Sequence, residues 1–294
     1  MAMAGPSHLE RTAAEPRDKS LHTVTLSEVK EVNDQIRTFR LELSAPLQFL
    51  PGQWLDVYVP GVSKAGGYTI TSPPSSAAPS SAGGFLELAV QRSPDPPAAW
   101  LWQDADAITY AELRVRVGGS FVWPPAGIDA LALRRAVFVA GGVGINPLIS
   151  MLASLAESAD RSPHPFEVEF LYSLKDDTSS GGTRRAARLL FVERLASIFG
   201  SGRVKGRLRL FLTGGGEAKG AVSCGGDGGD DLPFHGRRMT VDDVAVALGD
   251  AEERRSSVVY VCGVPTMTDE FVQKLTDPHG LGLDPPRVLC EKWW

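Results

Sequence analysis

The 294-residue sequence is poor in cysteine: only Cys224, Cys262 and Cys290 occur, far apart and without a Cys-x-x-Cys pair. Three cysteines cannot form a disulfide framework, which points to a reducing, intracellular compartment. They also cannot supply a four-cysteine zinc or two-iron site within one chain. No metal ligand set is therefore expected, and any electrons that this chain handles must leave to a separate partner. Long apolar runs are lacking too. No stretch approaches the ~20 residues of a membrane span. The opening MAMAGPSHLERTAAEPRDKS has no apolar core of the secretory kind. Its Glu10, Glu15 and Asp18 break the acid-poor pattern of a mitochondrial presequence. Residues 1–20 are expected to fray. An excess of charge is missing as well: 30 basic against 35 acidic residues leave a net −5. That excludes a general electrostatic lure for nucleic acid or anionic lipid.

What is present is ordinary globular composition, 43% hydrophobic and 22% charged. The length suggests two domains at roughly 150 residues each. The first, residues 21–128, reads as short strands. Glu112–Val117 alternates, with Leu113, Val115 and Val117 on one face. Phe85–Gln91, Trp54–Val59, Ile36–Leu43 and His22–Val32 read similarly, and a short helix follows Pro96-Pro97 through Trp102. So many strands predict a small antiparallel barrel.

The second domain, residues 129–294, alternates strand and helix. Ala136–Ala140 is a continuous apolar run, as in strands buried on both faces. Further strands are predicted at Val168–Tyr172, Arg207–Leu212, Val258–Val261 and Val288–Glu291. Helices are predicted after the glycine turn (Leu148, Met151, Leu152, Leu155) and at Arg184–Phe199, Val241–Leu248 and Thr266–Leu275. That alternation means a parallel sheet wrapped by helices. Three segments read as loose: Thr71–Gly84, Asp176–Thr183 and the glycine-rich Gly214–Gly229.

Four features could carry chemistry. In AVFVAGGVGINPLISML, a buried strand feeds Gly141, Gly142, Val143, Gly144, Ile145 and Asn146 and then a helix. Glycines allow a sharp turn and close approach to a ligand, Gly144 being read as the room a pyrophosphate needs. Asn146 reads as the helix cap and Pro147 as its first residue. An ordinary strand–helix turn is the competing reading. VVYVCGVPTMTDEF sets Cys262 and Gly263 at the carboxyl end of a strand, where α/β sheets bind ligands. A small core cysteine is the alternative. The terminal Trp293 and Trp294 either cover a flat ring or dock on protein. Tyr68, beside Thr69, Thr71 and Ser72, either stacks on a ring or lies half-buried at an edge strand.

In this order, Pro51-Gly52-Gln53, the Tyr68-Thr69 segment, Gly-Gly-x-Gly-Ile-x-Pro, Cys-Gly-x-Pro-x-Met and the terminal aromatic resemble the ferredoxin–NADP reductase superfamily over roughly Leu21–Trp294. The resemblance implies an FAD-binding barrel followed by a nicotinamide-nucleotide-binding α/β domain. It implies that Gly141–Asn146 hold the dinucleotide pyrophosphate and that Cys262 and Gly263 lie near the nicotinamide. Tyr68 and Thr69 would contact the flavin, and Trp294 would cover the opposite face of its ring. The implied activity is NAD(P)H-dependent transfer through FAD to an external acceptor, with a mitochondrial address or, alternatively, a cytosolic one.

The pattern breaks at two places. Arg-x-Tyr-Ser/Thr becomes Gly66-Gly67-Tyr68-Thr69, and Gly-x-x-Ser becomes Asp95-Pro96-Pro97-Ala98. Both changes remove flavin phosphate anchors, with Arg92 or Lys64 as possible substitutes. An NAD(H)-binding sensor or scaffold without redox turnover is the rival reading. Asp176 or Asp177 would favour NAD, Arg184 or Arg185 NADP.

Overall fold

The computed structural model describes residues 6–78, 83–160, 162–176, 183–225 and 231–293. The chain divides into two compact units, Met1–Trp123 and Pro124–Trp294.

Period-two alternation builds the first unit. After α1 (His8–Arg11) come β1 (His22–Asn33), β2 (Ile36–Leu43), β3 (Trp54–Tyr58), β4 (Gly66–Thr69) and β5 (Gly84–Gln91). Then follow α2 (Pro96–Leu101), α3 (Ala105–Ile108) and β6 (Glu112–Gly118). The strands pair antiparallel in the order β4-β3-β6-β1-β2-β5. Just past β4, Ile70 bridges to Leu88, and the Thr71 N–H donates to the Glu87 carbonyl at 2.8 Å. The outer strands therefore meet, and closure leaves the sheet without free edges there. Inward residues such as Val24, Leu26, Phe39, Leu41, Leu55 and Val115 form the core. Leu101 and Ile108 add to it from the two short helices.

The segment expected to fray is instead tied down from Ser7 onward. Ser7 and Glu10 form a capping box around α1. His8 is buried with its ring edge-on to Trp54, centroids 4.7 Å apart. Its imidazole lies so close to Gly67 that a Cβ there would come within 2.1 Å of it. His8 Nε2 donates to Asp56 Oδ1 at 2.9 Å, while Arg17 Nε (3.1 Å) and Arg116 Nη2 (2.6 Å) donate to Oδ2. A buried carboxylate is tolerated only when donors satisfy it, and Asp56 is fully buried. This need for donors fastens the N-terminal segment to β3 and β6.

The second unit runs β7 (Arg135–Gly141), α4 (Ile145–Ala159), β8 (Glu167–Lys175), α5 (Val192–Gly200) and β9 (Gly206–Thr213). It continues β10 (Lys219–Val222), β11 (Leu232–His235), α6 (Val241–Leu248), α7 (Ala251–Arg255), β12 (Ser257–Gly263), α8 (Pro265–Thr276) and β13 (Val288–Lys292). The sheet order is β10-β11-β9-β8-β7-β12-β13, parallel except for β10 against β11. β7 and β12 are buried almost throughout, which explains their unbroken apolar runs.

Two expectations are corrected here. The helix foreseen at Arg184–Phe199 is a 3₁₀ turn at Ala186–Arg188 followed by α5. Phe191 adopts the left-handed conformation (φ 59°), which a continuous helix does not allow. The stretch read as slack at Gly214–Gly229 contains β10, which pairs with β11 and widens the sheet; residues 226–230 lie outside the described residues.

Burial pushes the Asp56 carboxyl up, but the bonds from His8 and Arg116 and the charge of Arg17 outweigh it and hold it below its ordinary value. A lowered folded-state pKa stabilises the fold above the unfolded value near pH 4, and that stability is lost as pH falls through the folded value. Asp56→Asn is expected to cost about 3–5 kcal/mol at neutral pH. Denaturant titrations across pH 7 to 3 should show the gap to wild type closing only below about pH 4.

Candidate functional site

From β7 the chain passes first to β8 and β9 on one side, then later to β12 and β13 on the other. The order reverses between β7 and β12, so a crevice opens at their carboxyl ends. The residues singled out in this unit converge there. Gly141 ends β7, Gly142–Gly144 form a 3₁₀ turn and α4 starts at Ile145. Cys262 and Gly263 end β12.

The local geometry differs from expectation in one respect. Gly144, not Asn146, stands at the cap position of α4, without a capping side chain. Gly142 has φ 54°, which lets the chain turn directly after the strand, so helical bonding begins earlier. Asn146 and Pro147 are buried within the first turn, and Ile145 is fully buried. Amide N–H groups at such a start have no intrahelical acceptor and are available to an anion.

The glycines also divide the work otherwise than foreseen. A Cβ on Gly144 would lie 2.3 Å from the Cys262 carbonyl oxygen. Its lack of a side chain serves the approach of the turn to β12, not space for a ligand. The open position is Gly142, where a Cβ would meet no atom within 4 Å. Val143, beside it, is part-exposed.

Cys262 is fully buried. Burial, then the nearby Glu291 and Cys290, push its thiol well above its ordinary value, with the Trp293 indole acting the other way. It stays protonated at neutral pH, which suits contact and positioning, not thiolate attack. The Trp293 N–H donates to the Gly263 carbonyl at 3.1 Å, and its indole N–H donates to Glu291 Oε2 at 3.0 Å. Trp293 thus lies against the end of β12, a placement that the paired terminal tryptophans only hinted at. Trp294 lies outside the described residues.

In the barrel, β4 carries Tyr68 half-buried against the core and Thr69 buried. Both hydroxyls are shielded from water and accept or donate no hydrogen bond among the described residues. Leaving such groups unpaired costs about 1–3 kcal/mol each, so this donor set fits a flat ring with hydrogen-bonding atoms at its edge. Burial, then the Asp95 carboxylate, push the Tyr68 phenol up.

The phosphate end fits less well. Gly66, at which the resemblance leads to an arginine being expected, is overlain by the Tyr68 ring. Arg92 and Arg37 both stand over the Trp102 ring, at 5.5 and 4.6 Å, while Lys64 acts on Glu10.

At the carboxyl end of β8, Asp176 is buried and accepts from Arg184 Nε, and Arg184 Nη1 donates to Glu217 at 2.8 Å. Asp177 lies outside the described residues, and Arg185 is exposed. Among the described residues, no group of three or more His, Cys, Asp or Glu side chains could hold a metal ion.

No family model matches the chain. "Oxidoreductase NAD-binding domain-containing protein 1" of Danio rerio is 30% identical over 293 residues, covering 98% of this chain and 97% of that protein. The Homo sapiens protein of the same name is 29% identical, over 98% and 84%. Among solved structures, a Neisseria gonorrhoeae ferredoxin NADP+ reductase with bound FAD and NADP superposes with TM-score 0.64 at 16% identity. It covers 94% of this chain and 100% of that one. The FAD/NAD-binding domain of a Vibrio cholerae nitric oxide dioxygenase gives TM-score 0.63 at 17% identity, over 92% and 98%. The fold is therefore ferredoxin reductase-like: an antiparallel barrel followed by a parallel-sheet α/β unit.

Two glycine substitutions separate the two roles in the turn. Gly144→Ala drives a methyl group into the β12 backbone and is expected to cost about 1–3 kcal/mol. Gly142→Asn keeps a left-handed conformation and should cost under about 1 kcal/mol. It is nevertheless expected to weaken binding of nicotinamide dinucleotide, as read by fluorescence titration beside chemical denaturation.

Proposed function

The chain belongs to the oxidoreductase NAD-binding domain-containing protein 1 family, and from that premise we propose that it is an NAD(P)H-dependent flavin oxidoreductase that delivers electrons to an external acceptor. The observation that carries the reading is the pair of buried hydroxyls, Tyr68 and Thr69, without partners among the described residues. They occur in a chain that also builds a glycine turn at the switch point of a parallel sheet.

When bound, flavin supplies two-electron acceptance from reduced nicotinamide and release to an acceptor. The residues of this chain bind and orient. Tyr68 and Thr69 would hold the flavin ring, their unpartnered hydroxyls supplying its hydrogen bonds. Gly141–Asn146 cradle the dinucleotide pyrophosphate through amide N–H groups. Cys262, as a neutral thiol, and Gly263 form the surface on which nicotinamide rests, and Trp293 borders it. The acceptor is a separate molecule.

The reading favours NAD over NADP. Arg184, which pairs with Asp176 just past the end of β8, is already engaged by Asp176 and Glu217, so a 2′-phosphate would compete with two carboxylates for it. One observation favours the rival reading of a nucleotide sensor: the charge acting on Tyr68 is that of Asp95, an anion, where a flavin phosphate calls for a cation.

An absorbance spectrum of the purified protein, followed by diaphorase assays with and without added FAD, decides between them. A flavin band, or FAD-stimulated NADH oxidation, is expected. A colourless protein that binds NADH yet stays inactive with FAD would sink the enzyme reading. Thr69→Val should lower kcat roughly fivefold to tenfold, the value of one hydrogen bond of about 1–1.5 kcal/mol. Asp176→Asn with Glu217→Gln is expected to raise the NADPH/NADH ratio of kcat/KM at least about tenfold by freeing Arg184. An unchanged ratio would remove Arg184 from the specificity argument.

A further inference from the structure

At the opposite, amino-terminal end of β12 lies a cleft of roughly 430 Å³ between α7 and the loop that follows α8. It is lined by Ala251, Arg254, Arg255, Leu281, Gly282, Leu283, Asp284 and Arg287. β12 spans seven residues, which puts the cleft ~20 Å from Cys262 and Gly263, too far to be part of the crevice described above. Its volume is within the range of small-molecule sites.

Its chemistry is one-sided. Three guanidinium groups face one carboxylate. Arg254 is fixed by donation from Nε to the Gly249 carbonyl at 3.0 Å, and Arg287 by donation from Nη1 to the Ser257 carbonyl at 3.2 Å. Both keep further N–H groups after those bonds, since a guanidinium carries five. No carboxylate forms an ion pair with Arg254, Arg255 or Arg287 among the described residues; Asp250 feels Arg254 only as a through-space charge. Two arginines held by backbone carbonyls are preorganised, so less side-chain freedom is lost when an anion binds. The remaining lining is apolar: Leu283 is buried, and Leu281 packs on the core beside it.

Clustered guanidinium groups match the oxygens of a phosphate in bidentate fashion, while the leucines offer a surface for a non-polar body. We propose that this cleft is a second ligand site, separate from the dinucleotide turn, for a small molecule that carries a phosphate group on an apolar frame. Asp284, exposed at its rim, limits the affinity for such an anion.

Calorimetric titrations of the full chain with inorganic phosphate and with phenyl phosphate test this. Saturable binding of one equivalent is expected, tighter for phenyl phosphate and unchanged by saturating NADH. Arg254→Gln with Arg287→Gln should weaken it about tenfold or more. If that pair fails to fold, the exposed Arg255→Gln should still weaken binding severalfold, and Asp284→Asn should strengthen it. Retained affinity in the arginine variants, displacement by NADH, or no saturable binding would each overturn the proposal. Equal affinity for the two probes would overturn the apolar-framed ligand.

Discussion

Two stretches of main chain can touch only where no side chain stands between them. The second unit depends on one such contact, the turn after β7 lying against the carbonyl of Cys262, with Gly144 in between. This approach sets the start of α4 beside the end of β12. The left-handed Gly142 then has open space above it. Without it, α4 would stand farther from the sheet, and Cys262 would lose the backbone that helps to bury it. The burial that keeps the thiol protonated rests in part on the same close packing.

Much of this was legible in the residues. The strands β2 and β5–β9, together with β12 and β13, follow their alternating or continuous apolar patterns to within a few residues, because burial on one face or on both leaves a periodic trace. α6 and α8 follow for the same reason. What failed had no such trace. Phe191 in a left-handed conformation breaks a pattern that otherwise reads as helix. β10 gains its place from pairing with β11 rather than from its own Lys-Gly-Ala-Val sequence. The N-terminal segment looks polar and idle because its anchor, Asp56, lies on another strand.

The site divides along the same line. Glycine turns and strand ends are local, so Gly141–Asn146 and Cys262–Gly263 could be placed from sequence. The reason that each glycine is needed could not, since it depends on which backbone lies opposite. Trp293 was noticed only as one of a terminal pair, its contact with Gly263 being set by the pairing of β12 with β13. The state of Arg184 was equally hidden, for one of its two carboxylates is 33 residues away.

The contacts of Asp56 also govern how the barrel can form. Its partners stand 48, 39 and 60 residues away in the chain, so no local hairpin can satisfy it. Any half-built barrel that closes over this carboxylate without them holds an unmatched charge, which is strongly unfavourable. Assembly is thereby pushed towards an all-or-none event of high contact order, in which the N-terminal segment, β3 and β6 come together in one step.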